Sequence, residues 1–343
     1  MHRKQYNGLL NIWKFILSLV IVARHCTYFY GKNPDFPFAG GSTVVEFFFI
    51  VSGYYFYDYI RKGVTFTEVL QYNKHRFLKL FPYTTLMILI DYCFEVRWYS
   101  NTAEVLSSLP FEIFYLSNLR IGVSRVGQLW YVAAMMVALL ILGYIFVKDR
   151  NLFCVMALIV PIIWMGYCNT TYGCLETRGI LLDIIRAMSD MFIGVILWHL
   201  SDKTREYIEG YKRRWYTAIP ATIVVAAVMA ATLYLMYDVK YNSYAYLVVF
   251  LFGVGLVCIW SGLAFDRGSR ITDFLGKMSM MVYIVHMTVV RAVRIMYHGT
   301  LKESYILIYV ITFFYSLFLL FVGRKITHFI QQRKLAINTE RNI

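Results

Sequence analysis

Residues 14–25 read KFILSLVIVARH, and this stretch sets the physical class of the chain. From Phe15 to Ala23 only Ser18 is polar, and the wider apolar run, 9–30, has the roughly 20 residues that a membrane-spanning helix needs. The stretch carries an ammonium group at one end and an imidazole at the other. Eleven residues of helix turn through about 1100°, roughly 20° past three full turns, so Lys14 and His25 share one face. Along the axis they lie roughly 16 Å apart, about half the hydrocarbon thickness. Each ionisable group costs on the order of 3 kcal/mol at the bilayer centre unless it is paired or solvated. Either Lys14 reaches to the inner interface and His25 is a buried, hydrogen-bonded side chain, or the pair marks one working face at two depths.

The rest of the chain agrees with a membrane reading. Of 343 residues, 59% are hydrophobic and 18% aromatic, and the remaining charge is too sparse to coat a soluble globule of this size. A net charge of +14 invites a nucleic-acid reading, but the cations form short clusters between apolar runs, with no continuous basic face. Apolar runs of spanning length fall near 9–30, 43–60, 80–97, 128–147, 152–168, 180–199, 216–237, 244–264, 279–298 and 304–323. With the amino terminus inside, 22 cations lie in inner segments and 7 in outer ones. The expectation is an all-α integral membrane protein of the plasma membrane, with about ten transmembrane helices and both termini cytoplasmic.

A basic start before an apolar run also fits a cleaved signal peptide, but the run is long and lacks an A-x-A-like site, so it reads as a retained helix. No Gly/Ser or Pro linker divides the chain, so residues 1–343 read as one membrane domain, with 324–343 a polar cytoplasmic tail. The segment TFTEVLQYNKHRFLKL, 65–80, reads as a helix along the inner membrane surface. Segment 98–127 is the longest outer connection. Cys168 and Cys174 flank a short outer loop, where a disulfide and two thiols are equally allowed. The cysteines lack the paired spacing of a zinc site, and no metal is expected. Interfacial belts account for most of the aromatic residues.

Chemistry is then sought among ionisable groups within the spans. Glu46, in GGSTVVEFFFIVSGYYF (40–56), lies near the outer end of the second span, at a depth similar to that of His25. A carboxylate there fixes the tautomer of an imidazole and leaves its second nitrogen basic. Asp183, Arg186 and Asp190 recur at i, i+3 and i+7 and read as an internal ion ladder. Asp91 and Glu95 in the third span are further buried acids. In the ninth span His286 lies before Arg291 and Arg294, which face an anionic acceptor or a carboxylate from another span.

These residues resemble acyltransferase family 3, bacterial multispanning enzymes that acylate surface glycans and other exported acceptors. Lys14 to His25 matches the family's Arg or Lys, ten residues, then His. VEFFFIVSGY, 45–54, aligns without a gap on a second-helix pattern like VDLFFVLSGF, with Glu46 on the acidic position. RFLKLFPYT, 76–84, is similar to RxxRxxPxY, with Lys79 in place of the second arginine. LWYV, 129–132, resembles the tryptophan motif of a later helix, and LGKMSMMVYIVH, 275–286, resembles LGxxSYxxYLxH with Met280 in place of the aromatic residue.

The resemblance implies transfer of an acyl group, most often acetyl, from cytoplasmic acetyl-CoA or another acyl-CoA to a hydroxyl of a surface polysaccharide or its lipid-linked precursor. Lys14, Lys74, Arg76 and Lys79 would then meet the coenzyme phosphates. His25 would be the catalytic general base or transient acyl carrier, oriented by Glu46. Trp130, Tyr131, His286 and Arg291 would contact substrate. Membrane lipids are the remaining partners, nucleic acid is not expected, and the oligomeric state stays open. A transporter or flippase for a lipid-linked glycan is the competing reading, since buried charges in ten helices also suit it.

Overall fold

The computed structural model describes residues 8–29, 38–98, 101–119, 121, 124–172, 179–209, 215–238, 244–260 and 269–340. These residues are predominantly helical and contain no strand. The α-helices are α1 (Gly8–Phe29), α2 (Val44–Ile60), α3 (Phe66–Trp98), α4 (Thr102–Ile113), α5 (Trp130–Lys148), α6 (Arg150–Tyr172), α7 (Ile180–Glu209), α8 (Trp215–Asp238), α9 (Tyr244–Trp260), α10 (Arg270–Met296) and α11 (Leu301–Glu340). Several begin where the sequence supplies a cap. Thr65 and Glu68 exchange backbone and side-chain bonds ahead of α3, and Thr300 and Glu303 do so ahead of α11. Asn101 caps α4, Asp149 caps α6, and Ser269 receives the Thr272 amide at the start of α10.

Among the described residues six helices, α1, α3, α5, α6, α10 and α11, are long and apolar enough to cross a membrane. The protein is therefore a multi-pass membrane protein. Of the other helices in the expected ranges, α2 has only 17 residues and α7 carries Asp183, Arg186 and Asp190. The surface segment at 65–80 and the span near 80–97 are one helix, which corrects their separation. Pro82 is the one breaker within α3, and it does not end the helix. At 33 residues α3 is about 50 Å long, well beyond the roughly 30 Å hydrocarbon layer. Similarly, α11 runs 40 residues and takes the expected polar tail into helix as far as Glu340. The connection between α3 and α5 contains α4, which has no counterpart among the apolar runs.

The chain divides into two compact units. Unit 1 is Met1–Asn73 with Tyr131–Ser279, and unit 2 is Lys74–Trp130 with Met280–Ile343. In unit 1 the core is α2 against α7, with α6 and α9 on α7 and α1 on α2. Two glycines allow that contact. A Cβ at Gly53 would lie 2.2 Å from the Met191 carbonyl oxygen, and one at Gly194 would lie 2.1 Å from that of Ile50. Small residues of this kind let helix backbones approach in a membrane, where burial from lipid supplies little drive. Contacts of Glu46 with Arg186, Gly53 with Met191 and Tyr57 with Trp198 advance together, so α2 and α7 are parallel. In unit 2, Gly323 of α11 admits the ring of Tyr83 on α3, and Thr84 shares a 2.7 Å hydrogen bond with the Tyr115 hydroxyl.

Candidate active site

The VEFFFIVSGY segment is the organising strip of unit 1. Its residues point in several directions, and nearly all are buried. Phe47 meets Trp13 of α1 and Phe250 of α9. Phe49 packs 4.4 Å from the Tyr131 ring of α5. Ser52 Oγ lies 3.3 Å from the Tyr131 hydroxyl, so the second-helix and tryptophan motifs touch directly. Tyr131 is 5% exposed and its ring is committed to this packing.

Glu46 is 2% exposed. Its Oε1 accepts from Arg186 Nε at 2.8 Å and also from Arg186 Nη2. Asp190 follows one turn along α7 and is 3% exposed. The ladder foreseen at 183–190 thus includes a buried ion pair to α2. His25 is half-buried on α1, next to Arg24, whose Cβ approaches Gly41 in the turn before α2.

Lys14 sits at another level. Its ammonium lies over the Tyr55 ring, 5.3 Å from the centroid, a cation–π contact. Tyr55 is nine residues along α2 from Glu46, which is about 13 Å. The rise of α2 therefore repeats the separation that α1 gives Lys14 and His25. The Lys14 carbonyl accepts a 3.0 Å bond from Ser279, and a Cβ at Gly276 would lie 2.7 Å from the Asn11 side chain. The small residues of LGKMS thus seat α10 on the first helix.

Unit 2 holds a second group of polar and charged residues. His286 is 1% exposed, and its Nδ1 lies 2.7 Å from the Tyr283 carbonyl. A carbonyl only accepts, so Nδ1 carries the proton and, in the neutral ring, Nε2 keeps the lone pair. The Tyr283 hydroxyl donates to the Gln128 carbonyl, and the Gln128 amide donates to the carbonyl of Ile284. Gln128 thus ties the residue before LWYV to the histidine-bearing helix. Neither Gln128 nor Arg125 was picked out from the sequence, since polar loop residues carry no periodic signal.

Arg291 donates to Asp91 Oδ2 at 2.8 Å, to Glu95 Oε1 at 3.0 Å and to the Arg125 carbonyl at 2.9 Å. Arg125 reaches Glu104 and Ser108, and Glu112, fully buried, accepts from the Arg125 and Val126 amides. Of the two partners foreseen for Arg291, the structure supplies the carboxylates. The basic set splits on α3: Arg76 and Lys79 lie about 60° apart around the helix, whereas Lys74 lies about 160° from Arg76. Lys74 and Lys79 are exposed, and Trp130 and Arg76 are half-buried.

Cys168 is buried against Trp164 and Leu247, and Cys174 lies outside the described residues. A family model described as an acyltransferase domain matches residues 7–324. The chain belongs to this acyltransferase family. The match includes both groups and every motif quoted above. Neither the curated proteins nor the solved structures contain a match to the chain.

Proposed function

We propose that the protein is a plasma-membrane O-acyltransferase that moves an acetyl or related acyl group from cytoplasmic acyl-CoA to a hydroxyl of a surface polysaccharide or its lipid-linked precursor. About ten crossings with both termini inside is the topology that goes with this reading, and the parallel run of α2 and α7 supports it. Three crossings, by α3, α5 and α6, separate α2 and α7 in the chain, and an odd number gives two helices of one direction.

The observation that carries the proposal is the two-level arrangement on α1 and α2. Lys14 stands at the level of Tyr55, while His25 and Glu46 lie toward the other ends of their helices. A coenzyme held low by its phosphates presents its thioester higher, because an extended pantetheine arm has a reach comparable to that 16 Å rise. Lys14 is the cation that unit 1 offers to the phosphates, and Arg76, Lys79 and Lys74 are those that unit 2 offers.

At the upper level His25 takes the proton of the acceptor hydroxyl. The oxygen attacks the thioester carbonyl, the carbon–sulfur bond breaks, and the departing thiolate takes the proton from the imidazolium. In the covalent variant the acyl group rests on His25 before the hydroxyl attacks. Glu46 fixes the ring's tautomer; for the acceptor, unit 1 offers Tyr131, and unit 2 offers Trp130, His286 and Arg291. Membranes containing the protein, supplied with isotopically labelled acetyl-CoA and cell-surface glycan, should label the glycan. The proposal fails if His25→Ala leaves that labelling intact.

A further inference from the structure

Glu46 is held from the side by a residue 140 positions away, and that contact changes what the carboxylate can do. Both Arg186 nitrogens bond to one oxygen, Oε1. The arginine is 4% exposed, so water does not compete for it. The pair is held by the tightest helix contact of unit 1. Gly53 lies seven residues after Glu46, about 20° short of two turns, on the same face of α2. On α7, Arg186, Asp190 and Gly194 fall within an arc of about 80°. The backbone contact at Gly53 and Gly194 thus fixes the spacing at which Glu46 meets Arg186.

We propose that Arg186 is a positioning residue for acyl transfer, acting through Glu46. The guanidinium fork pins one carboxylate oxygen and supplies the counter-charge, so Glu46 orients its partner by accepting a hydrogen bond and does not serve as the proton's destination. This proposal rests on the acyltransferase reading given above. It also assigns a reason for an arginine inside an expected span, where lipid alone would exclude it. On α7 itself Asp183 and Asp190 lie within about a turn of Arg186, and α1, which packs on α2, carries Arg24 and Lys14, with Asp58 at the far end of α2. Between their ends, α6 and α9 contribute no Asp, Glu, Lys or Arg.

The test uses full-length protein in proteoliposomes, with transfer from labelled acetyl-CoA and thermal unfolding measured side by side. Arg186→Lys keeps the charge but loses the fork; it should fold, retain the wild-type KM for acetyl-CoA and lose about tenfold to a hundredfold in kcat. Arg186→Gln should lose more and unfold earlier. The double variant Glu46→Gln with Arg186→Gln removes both charges; it should regain thermal stability without regaining activity. A double variant that regains both, or an Arg186→Lys protein with wild-type kcat, overturns the positioning role. If wild-type protein transfers no acyl group, or His25→Ala transfers it normally, the acyltransferase reading fails instead.

Discussion

Gly53 of α2 lies so close to Met191 of α7 that an added Cβ would come within 2.2 Å of the Met191 carbonyl oxygen and 2.5 Å of its Cα. Real side chains do not approach backbone atoms at that distance, and neither atom belongs to a flexible group that could move aside. Gly53→Ala should therefore force α2 and α7 apart and cost about 3 kcal/mol or more, at or above the upper range for overpacking. Thermal unfolding in detergent measures it. Gly194→Ala should behave alike, and both should lose activity because separation of the helices withdraws Arg186 from Glu46.

Replacing the groups at the two levels should give different kinetic faults. His25→Ala removes the proposed proton acceptor and should lower kcat by at least about a hundredfold, within the usual range for general-base catalysis. Lys14→Met should mainly raise the KM for acyl-CoA, because it removes a cation from the lower level. Tyr55→Leu should reproduce part of the Lys14 effect, since it takes away the ring over which the ammonium lies. Steady-state kinetics with varied acyl-CoA separate the two.

Much of this architecture is legible in the sequence because it is written locally. The apolar runs mark helices, the 11-residue spacing of Lys14 and His25 defines a face, and five short motifs in order identify the family. The continuity of α3 was hidden, because a basic stretch followed by an apolar one reads as two environments even when no residue ends the helix. The partner of Glu46 was hidden for another reason. Arg186 stands out as a charge within an expected span, but its own helix offers Asp183 and Asp190 at helical spacing, which masks the longer-range pair. The Arg125 loop gives no signal before folding, since its role depends on Glu112 accepting two backbone amides.

The contact between Gly276 and Asn11 should reveal itself as coupling. A Cβ at position 276 would meet the Asn11 amide at 2.7 Å, and that amide is the end of a flexible side chain. Gly276→Ala should therefore destabilise the protein by about 1 kcal/mol, at the lower end for overpacking. In an Asn11→Ala background the same change should cost close to nothing, giving a coupling of similar size. Additive costs in a double-mutant cycle of unfolding free energies would remove Asn11 as the obstacle.

The final prediction concerns Arg291, whose guanidinium lies between two acids of α3. Its side chain is 24% exposed, while Asp91 is 4% and Glu95 12% exposed, so the acids depend on the arginine more than it depends on them. Arg291→Met should leave Asp91 without its cation, while Glu95 keeps Arg125 4.0 Å away. Breaking a fully buried pair costs about 3–5 kcal/mol, and the partial exposure of Arg291 brings the expected loss to about 2 kcal/mol. Asp91→Asn added to Arg291→Met should recover much of that stability, since the buried charge goes with its partner. Activity gives the second readout. If Arg291 only latches α10 to α3, the double variant should recover transfer along with stability. If Arg291 also contacts the acceptor, stability should return while the KM for the glycan stays high. Unfolding and acceptor-dependent kinetics on the same three proteins decide between a latch and a binding residue.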